Sequence, residues 1–306
     1  LKRNNFLVSI DSLNTDDLLA GAKSGADFLL SLQEKSLWVM EETDAIPVII
    51  PDYPKEEENF YKLIDNLIKK NKIFIADSIL EPINFGFTES IVRYQKLRNT
   101  FPSVEIMIGI GNLTELTHAD TAGMNALLFG IASELEINYA LCTQVSEHCN
   151  KAIIEGNFAR RIMHTTKNYN MPPKDISNKL LGLHERKPFP YSTEELKNIW
   201  SNVKDKNYRI YVNEDGIHVF NNKNFYTETD AAEFYQYLDI KNDDGHAYYL
   251  GMELERAQIA YQLGKRYDQD EMLKWGCSVE ISDDDIMRFK KAGHTMRKIK
   301  DNDGQK

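Results

Sequence analysis

Six short apolar or β-branched runs punctuate the first half of the chain, at residues 6–10, 28–32, 46–50, 73–77, 106–110 and 137–142. Between most of them lie segments of helical periodicity, such as residues 15–24, 57–70 and 89–99. This alternation restricts the fold more than any other feature. Strand, helix, strand in strict order predicts a parallel sheet with helices outside, and near-continuous apolar strands predict that both sheet faces are covered.

One unit stands out. The stretch 105–134 reads EIMIGIGNLTELTHADTAGMNALLFGIASE. Its apolar run is too short for a helix and ends at glycines, after which a 3.6-residue period sets in, so it is strand, loop and helix. Gly109 and Gly111 allow a sharp turn at the strand end, and Asn112, Thr114, Glu115, His118 and Asp120 then crowd polar groups onto the loop. Thr117, Asp120 or Thr121 caps the helix before the stripe of Ala122, Met124, Leu127, Leu128 and Ile131 begins. Ligands of βα architectures sit on the loops that follow the strands, so this loop is the first place to look for a site.

The texture changes near Met171. NMPPKDI and KPFPYS carry Pro172, Pro173, Pro188 and Pro190, which reads as a linker or packed arm. Two strand-like runs, 208–212 and 217–220, follow, joined through Asp215-Gly216 as a hairpin. Thr229 is placed to cap a helix over 230–238, and a longer amphipathic helix runs over 246–263 to Gly264. The expected organisation is a βα region of six units over residues 1–170, an arm over 171–204, a small α+β domain over 205–280 and a polar tail over 281–306.

A formal charge of −10 on 306 residues argues against gripping nucleic acid or an anionic membrane over a broad face, since both need basic surface. No apolar stretch approaches a membrane span, and the start lacks a signal-peptide layout. Cys142, Cys149 and Cys277 are odd in number and lack a Cys-x-x-Cys pair, which fits reduced thiols in a cytoplasm and offers no zinc-ligand spacing. The expected location is cytoplasmic, with no metal.

Three polar residues share one position. Asp11 closes the first run, Asp77 the fourth, and Asn112 lies just past the fifth. An Asp at a strand end often only caps the following helix. Three such groups at the same end of parallel strands would instead converge on one mouth if the sheet curls. Carboxylates that accept paired N–H bonds, with an amide that both donates and accepts, suit a flat heterocycle with a donor edge. In the C-terminal half, His246 opens a helix beside Asp243 and Asp244, which is a ligand or proton-carrier arrangement or, more commonly, a helix-end polar cluster. Tyr248, Tyr249, Leu254 and Tyr261 are expected to pack inward.

SIDS followed by KSGADFLLSL, then IADSILEPINFG and IGIGNLTELTHAD, resembles the successive strand ends of the pterin-binding barrel shared by dihydropteroate synthases and pterin-dependent methyltransferases. NMPPKDI and HAYYLGMELERAQIAYQLGKRYDQDE, residues 246–271, are more similar to the dihydropteroate synthase-related proteins. The resemblance spans Phe6 to about Leu273. It implies that Asp11 faces a pterin, that Asp77 pairs with the pyrimidine amino edge and that Asn112 lies near the ring; from the polar loop itself, His118 and Asp120 are possible further site residues, His118 as a single cation or, more commonly, an ordinary polar surface residue. No catalytic residue is assigned.

The departures are chemical. Leu30 stands where the synthase has an asparagine, Asn112 and Leu113 where it has an Arg-Lys pair, and Leu141 and Thr143 where it has an Arg-x-His anion clamp. Departing diphosphate needs such cations, so the resemblance favours pterin binding over synthase chemistry. It also implies a (β/α)8-type pterin-binding barrel lacking its first two βα units, because the family's SIDS-like motif lies on its third strand. A fragment of a longer product or a split chain completed by a partner segment is then the leading expectation, with the chain's own C-terminal region or a second copy in a homo-oligomer as the other ways to complete it. The expected ligand is a reduced pterin of folate or methanopterin type, as substrate or carrier in C1 metabolism. The alternatives are a pterin-dependent methyltransferase, a dihydropteroate synthase completed by a partner, and a non-catalytic pterin carrier.

Overall fold

The first half of the chain lays down its strands side by side in the order in which they occur. In the computed structural model, which describes residues 1–52, 57–240 and 243–279, β1 (Ser9–Asp11), β2 (Phe28–Leu32), β3 (Ile46–Ile49) and β4 (Ile75–Ala76) form one parallel sheet in chain order. β5 (Met107–Gly109) and β6 (Tyr139–Leu141) form a second parallel pair. A single parallel bridge, Ala76 to Ile106, joins the two.

The helices between them are α1 (Thr15–Lys23), α2 (Glu57–Lys69), α3 (Phe87–Thr100), the short α4 (Gly111–Thr114), α5 (Thr121–Glu134) and α6 (Ala152–Asn168). They cover the outer sheet face. Leu18, Leu29, Ile49, Ile64, Ala76, Leu97, Ile108 and Leu128 share one buried cluster there. The inner face carries a smaller cluster of Leu30, Val48 and Ile75, with Phe28, Ile46, Met107 and Tyr139 against it. This division into two clusters is what period-2 alternation requires of strands covered on both sides.

The inner face is strongly curled. Phe28 on β2 and Tyr139 on β6 meet edge to face with ring centroids 6.4 Å apart. Four strand spacings in a flat sheet would separate them by roughly 19 Å. Curling does not amount to closure. The expectation of a (β/α)8-type barrel is overturned by the topology: among the described residues the parallel strands form sheets of four and two, and β1 and β6 each have a neighbour on one side only. Nothing pairs across from one to the other, so the architecture is an open α/β layer. The β4–β5 seam is short, since β4 is two residues long and one bridge joins it to the chain entering β5.

The described residues form two compact units that divide after Leu180. Within the stretch read as an arm, α7 (Thr193–Ser201) forms behind a capping box in which Ser192 and Glu195 satisfy each other's backbone N–H groups. In the second unit β7 (Arg209–Asn213), β8 (Gly216–Phe220) and β9 (Phe225–Glu228) make an antiparallel sheet. The hairpin reading found the first two strands and not the third. Gly216 at φ +140° approaches the Glu228 carbonyl so closely that a Cβ would strike it. Residues 231–236 form a 3-10 turn capped by Asp230 rather than a helix capped by Thr229. α8 (Asp244–Leu263) ends at left-handed Gly264. Asp243 caps the His246 N–H at 2.9 Å, the helix-end cluster rather than a ligand set. Leu254 is buried, while Tyr248 points to solvent, contrary to expectation. The tail 281–306 lies outside the described residues.

The motif 246–271 builds a polar lock. Buried Glu253 takes Tyr267 Oη at 2.6 Å, the Asp270 N–H at 3.2 Å and the Arg256 guanidinium. Gln269 bridges to Tyr249 Oη at 2.9 Å and accepts from the Ile210 N–H at 2.9 Å, tying α8 and its trailing loop to β7. On β8, fully buried His218 lies between Asn213 Oδ1 at 2.7 Å and Thr227 Oγ1 at 2.9 Å. Desolvation pushes its pKa down to about 4. The unfolded imidazole, titrating near 6.5, then takes up protons that the folded one refuses. The second unit should lose on the order of 3 kcal/mol as pH falls from about 6.5 to 4, and thermal melts of His218→Gln should show a flatter pH dependence over that range.

Candidate functional site

At the C-terminal end of β1, Asp11 continues the inner-face parity of Ser9. Beside it the β2–β3 register shifts between Leu29 and Leu32, and Ser31 at this bulge holds φ +65°. The left-handed backbone is unfavourable for a residue with a Cβ, and here it has two effects. Leu32, which plain alternation would turn inward, packs with Leu29 in the outer cluster. Ser31 Oγ reaches across and donates to Asp11 Oδ1 at 2.7 Å.

Asp77 follows β4 directly. Its Oδ1 accepts from the Ile79 N–H at 2.7 Å and from Tyr94 Oη at 2.5 Å, with Tyr94 wholly buried on α3. The residue is half-buried. Burial lifts its pKa to about 6 against the lowering effect of Tyr94, the Ile79 N–H and Arg93. The Asp11 charge adds to the rise, which puts the two carboxyls within electrostatic reach of each other. Among the described residues, no donor reaches Asp77 Oδ2.

The loop after β4 is strained and braced. Ile79 sits at φ +63°, an outlier for a β-branched residue that costs on the order of 1–3 kcal/mol. Buried Arg93 holds it there, donating to the carbonyls of Ser78 at 3.3 Å and Ile79 at 2.9 Å and to Ser90 Oγ at 3.2 Å. From α4, Asn112 Nδ2 donates to the Leu80 carbonyl at 2.8 Å. That bond draws the loops after β4 and β5 together, and it leaves Asn112 Oδ1 exposed as an acceptor.

The loops after β5 and β6 are joined as well. Glu115 accepts from the N–H groups of Val145 at 2.9 Å and Ser146 at 2.8 Å, and these bonds hold its carboxyl down at about 2. His148 Nε2 lies 3.0 Å from the Thr114 carbonyl, which also accepts from Cys149 Sγ at 3.2 Å. His118 is exposed and stacks edge to face on His148 at 4.9 Å. Asp120 occupies the N-cap of α5 without making a side-chain cap, while Thr121 donates to buried Glu155 at 2.5 Å.

The structure thus gathers Asp11, Asp77 and Asn112 at one end of the sheet, the first two coupled electrostatically and the third tied to the Asp77 loop. His118 and Asp120 join no hydrogen bond with them. Three residues of this neighbourhood escaped the sequence reading: Ser31, Arg93 and Tyr94. Ser31 is placed by a bulge that no local pattern announces. Arg93 and Tyr94 lie within a segment read for its helical period, where a buried arginine and tyrosine look like any amphipathic face. Arg93, whose charge acts on Asp77, donates to two backbone carbonyls and Ser90 Oγ and lies 4.0 Å from Glu81. Among the described residues, no group of three His, Cys, Asp or Glu is placed to hold a metal ion.

No family model matches the chain. It is 30% identical over 309 residues to an uncharacterized protein of Methanocaldococcus jannaschii, a match that takes in 86% of this chain and 57% of the relative. The chain therefore spans little more than half the length of that relative. Among solved structures it is similar to a Chromobacterium violaceum protein described as spore coat polysaccharide biosynthesis protein E, at 12% identity and a TM-score of 0.40, over 74% of this chain and 64% of that one.

The Glu115 clamp has a pH signature. A carboxylate with a depressed pKa contributes stability above its unfolded value, near 4.5, and loses it as pH falls toward 2. Amide exchange at Val145 and Ser146 should accelerate in Glu115→Ala at neutral pH relative to the parent, with the rest of the outer cluster unchanged; equal rates in the two proteins would show that the clamp orders nothing.

Proposed function

We propose that the rim formed by Asp11, Asp77 and Asn112 binds a pterin or a reduced pterin carrier of the folate or methanopterin type. The observation that carries this reading is the convergence of two carboxyls and a carboxamide at the C-terminal ends of β1, β4 and β5, with acceptor oxygens left open on Asp77 and Asn112. An aminopyrimidinone edge presents N–H donors to such acceptors. Asp77 accepts through Oδ2, since its other oxygen is held by Tyr94 and Ile79. Asp11, oriented by Ser31, lies near enough for its charge to act on Asp77.

The reading concerns recognition and leaves the reaction open. Synthase chemistry on a pterin diphosphate has no support at this rim, where the adjacent Arg93 is committed to backbone carbonyls and a hydroxyl. A methyl-transfer role and a carrier role both fit a rim built for binding. No helix among the described residues is long and apolar enough to cross a membrane, and three cysteines that form no disulfide with one another suit work in a cytoplasm.

Calorimetric titration with a reduced pterin tests the reading. Asp77→Asn and Asn112→Ala should each weaken binding by roughly ten- to hundredfold, the worth of one charged or well-placed hydrogen bond. Because the acceptor must be ionised and Asp77 titrates at about 6, affinity should climb as pH rises through that value and fall below it. Asp77→Asn should abolish the climb. Absence of pterin binding by the parent protein at every pH, with the fold intact, would refute the assignment.

A further inference from the structure

We propose that a small cavity behind the loop after β4 binds water, and that this water, Ser78 and Tyr94 form a path by which a proton reaches Asp77 from the helix-covered side of the sheet. The path exists whatever the rim binds. Its use, which is to move a proton while a ligand covers the open Asp77 oxygen, rests on the reading of the rim as a binding site.

The ground is a set of polar groups that no other part of the chain satisfies. Ser78 is buried, and its Oγ has no hydrogen-bond partner among the described residues. A buried hydroxyl left in that state is costly, and ordered water is the usual remedy. Arg93 donates through Nε and Nη2 alone, so its Nη1 is unspent, and Nη2 lies 4.0 Å from Glu81 Oε1, beyond hydrogen-bond reach. Ser78, Arg93 and Glu81 all line one cavity of about 30 Å³, with Phe60, Tyr61 and Ile79 as apolar walls. That volume accommodates about two waters, and a hydroxyl, a guanidinium N–H and a carboxylate are partners enough to hold them. Asp52 and Glu57 also line it, the latter 3.7 Å from Lys96. Three carboxylates against two cations favour a passing hydronium over an anion.

Tyr94 joins this cavity to the rim. It is wholly buried in the outer cluster, its Oη donates to Asp77 Oδ1 at 2.5 Å, and the Ser78 hydroxyl lies near enough to lower its pKa. Proton uptake runs along these oxygens in order. Cavity water, protonated from solvent, gives a proton to Ser78 Oγ as the Ser78 hydroxyl proton passes to Tyr94 Oη and the Tyr94 proton passes to Asp77 Oδ1. Each hydroxyl gains one O–H bond as it loses one, so hydronium becomes water, the carboxylate becomes a carboxylic acid, and neither serine nor tyrosine changes charge. Release is the reverse. Burial holds the Tyr94 pKa well above the ordinary tyrosine value, so the residue shuttles a proton and does not store a charge. Asp77 titrates at about 6, where both directions are populated; Asp11 and Arg93 act on that midpoint in opposite senses.

Proton NMR of the full chain, without ligand and at neutral pH, follows the Tyr94 hydroxyl proton. It should exchange with water despite complete burial. Ser78→Val, which sets a methyl in the hydroxyl's place and leaves the Tyr94 and Ile79 bonds to Asp77, should slow that exchange by on the order of tenfold or more, with the Asp77 midpoint still at about 6. A Tyr94 proton that does not exchange in the parent overturns the proposal whether or not the variant folds, as does a variant that exchanges as fast as the parent. With a reduced pterin bound, a jump to acid should release it faster than it leaves at neutral pH, because Asp77 is protonated from behind; Ser78→Val should release it at the neutral rate. Equal acid-driven release by both proteins contradicts the path's use. Failure of the parent to bind any pterin refutes the reading of the rim instead, and the hydroxyl exchange still decides the path.

Discussion

The Asp77 carboxyl is the group on which the rim depends. Burial raises its pKa to about 6 even though a tyrosine hydroxyl, a backbone N–H and a nearby guanidinium all favour its charge. Keeping it ionised at neutral pH costs the fold on the order of 3 kcal/mol relative to an unfolded aspartate titrating at 3.8. The sign follows from protons: the folded carboxyl holds its proton up to a higher pH, so stability declines as pH rises from about 4 to 6. An asparagine would avoid this cost. Functional sites are where such groups collect, and a carboxylate poised near neutrality with one oxygen open is a stronger sign of binding than any of its neighbours.

Around that carboxyl the local strain is consistent. Ser31, in the bulge of β2, and Ile79, in the loop after β4, both hold left-handed backbones. Each is held by a group elsewhere, Ser31 by Asp11 and Ile79 by the Arg93 guanidinium. Asn112 and Glu115 then tie the successive loops to one another, so the rim is a chain of braced turns on a curled sheet.

The positions of the strands and of the three rim residues were legible because period-2 runs and an Asp or Asn at a strand end are local signals. The bulge at Ser31 was not, since a register shift is settled between strands rather than within one. The (β/α)8-type barrel lacking two units was implied by the resemblance rather than by a local pattern, and six strand runs say nothing of whether the first and last find partners. The capping box at Ser192 and Glu195 is a local signal in YSTEEL, and Pro188 and Pro190 just before it give the same stretch the composition of an arm. The stretch 246–271 carries part of the resemblance, and its residues bond one another around Glu253 as a structural lock.

The most direct measurement of the central claim is carbon NMR of the Asp77 carboxyl through a pH titration, with and without a reduced pterin. Without ligand it should titrate at about 6, and the ligand, by donating to the ionised form, should pull that midpoint downward. A midpoint that stays in place when the pterin is present at saturation would mean that the carboxyl does not meet the ring, and the account of the rim would be contradicted.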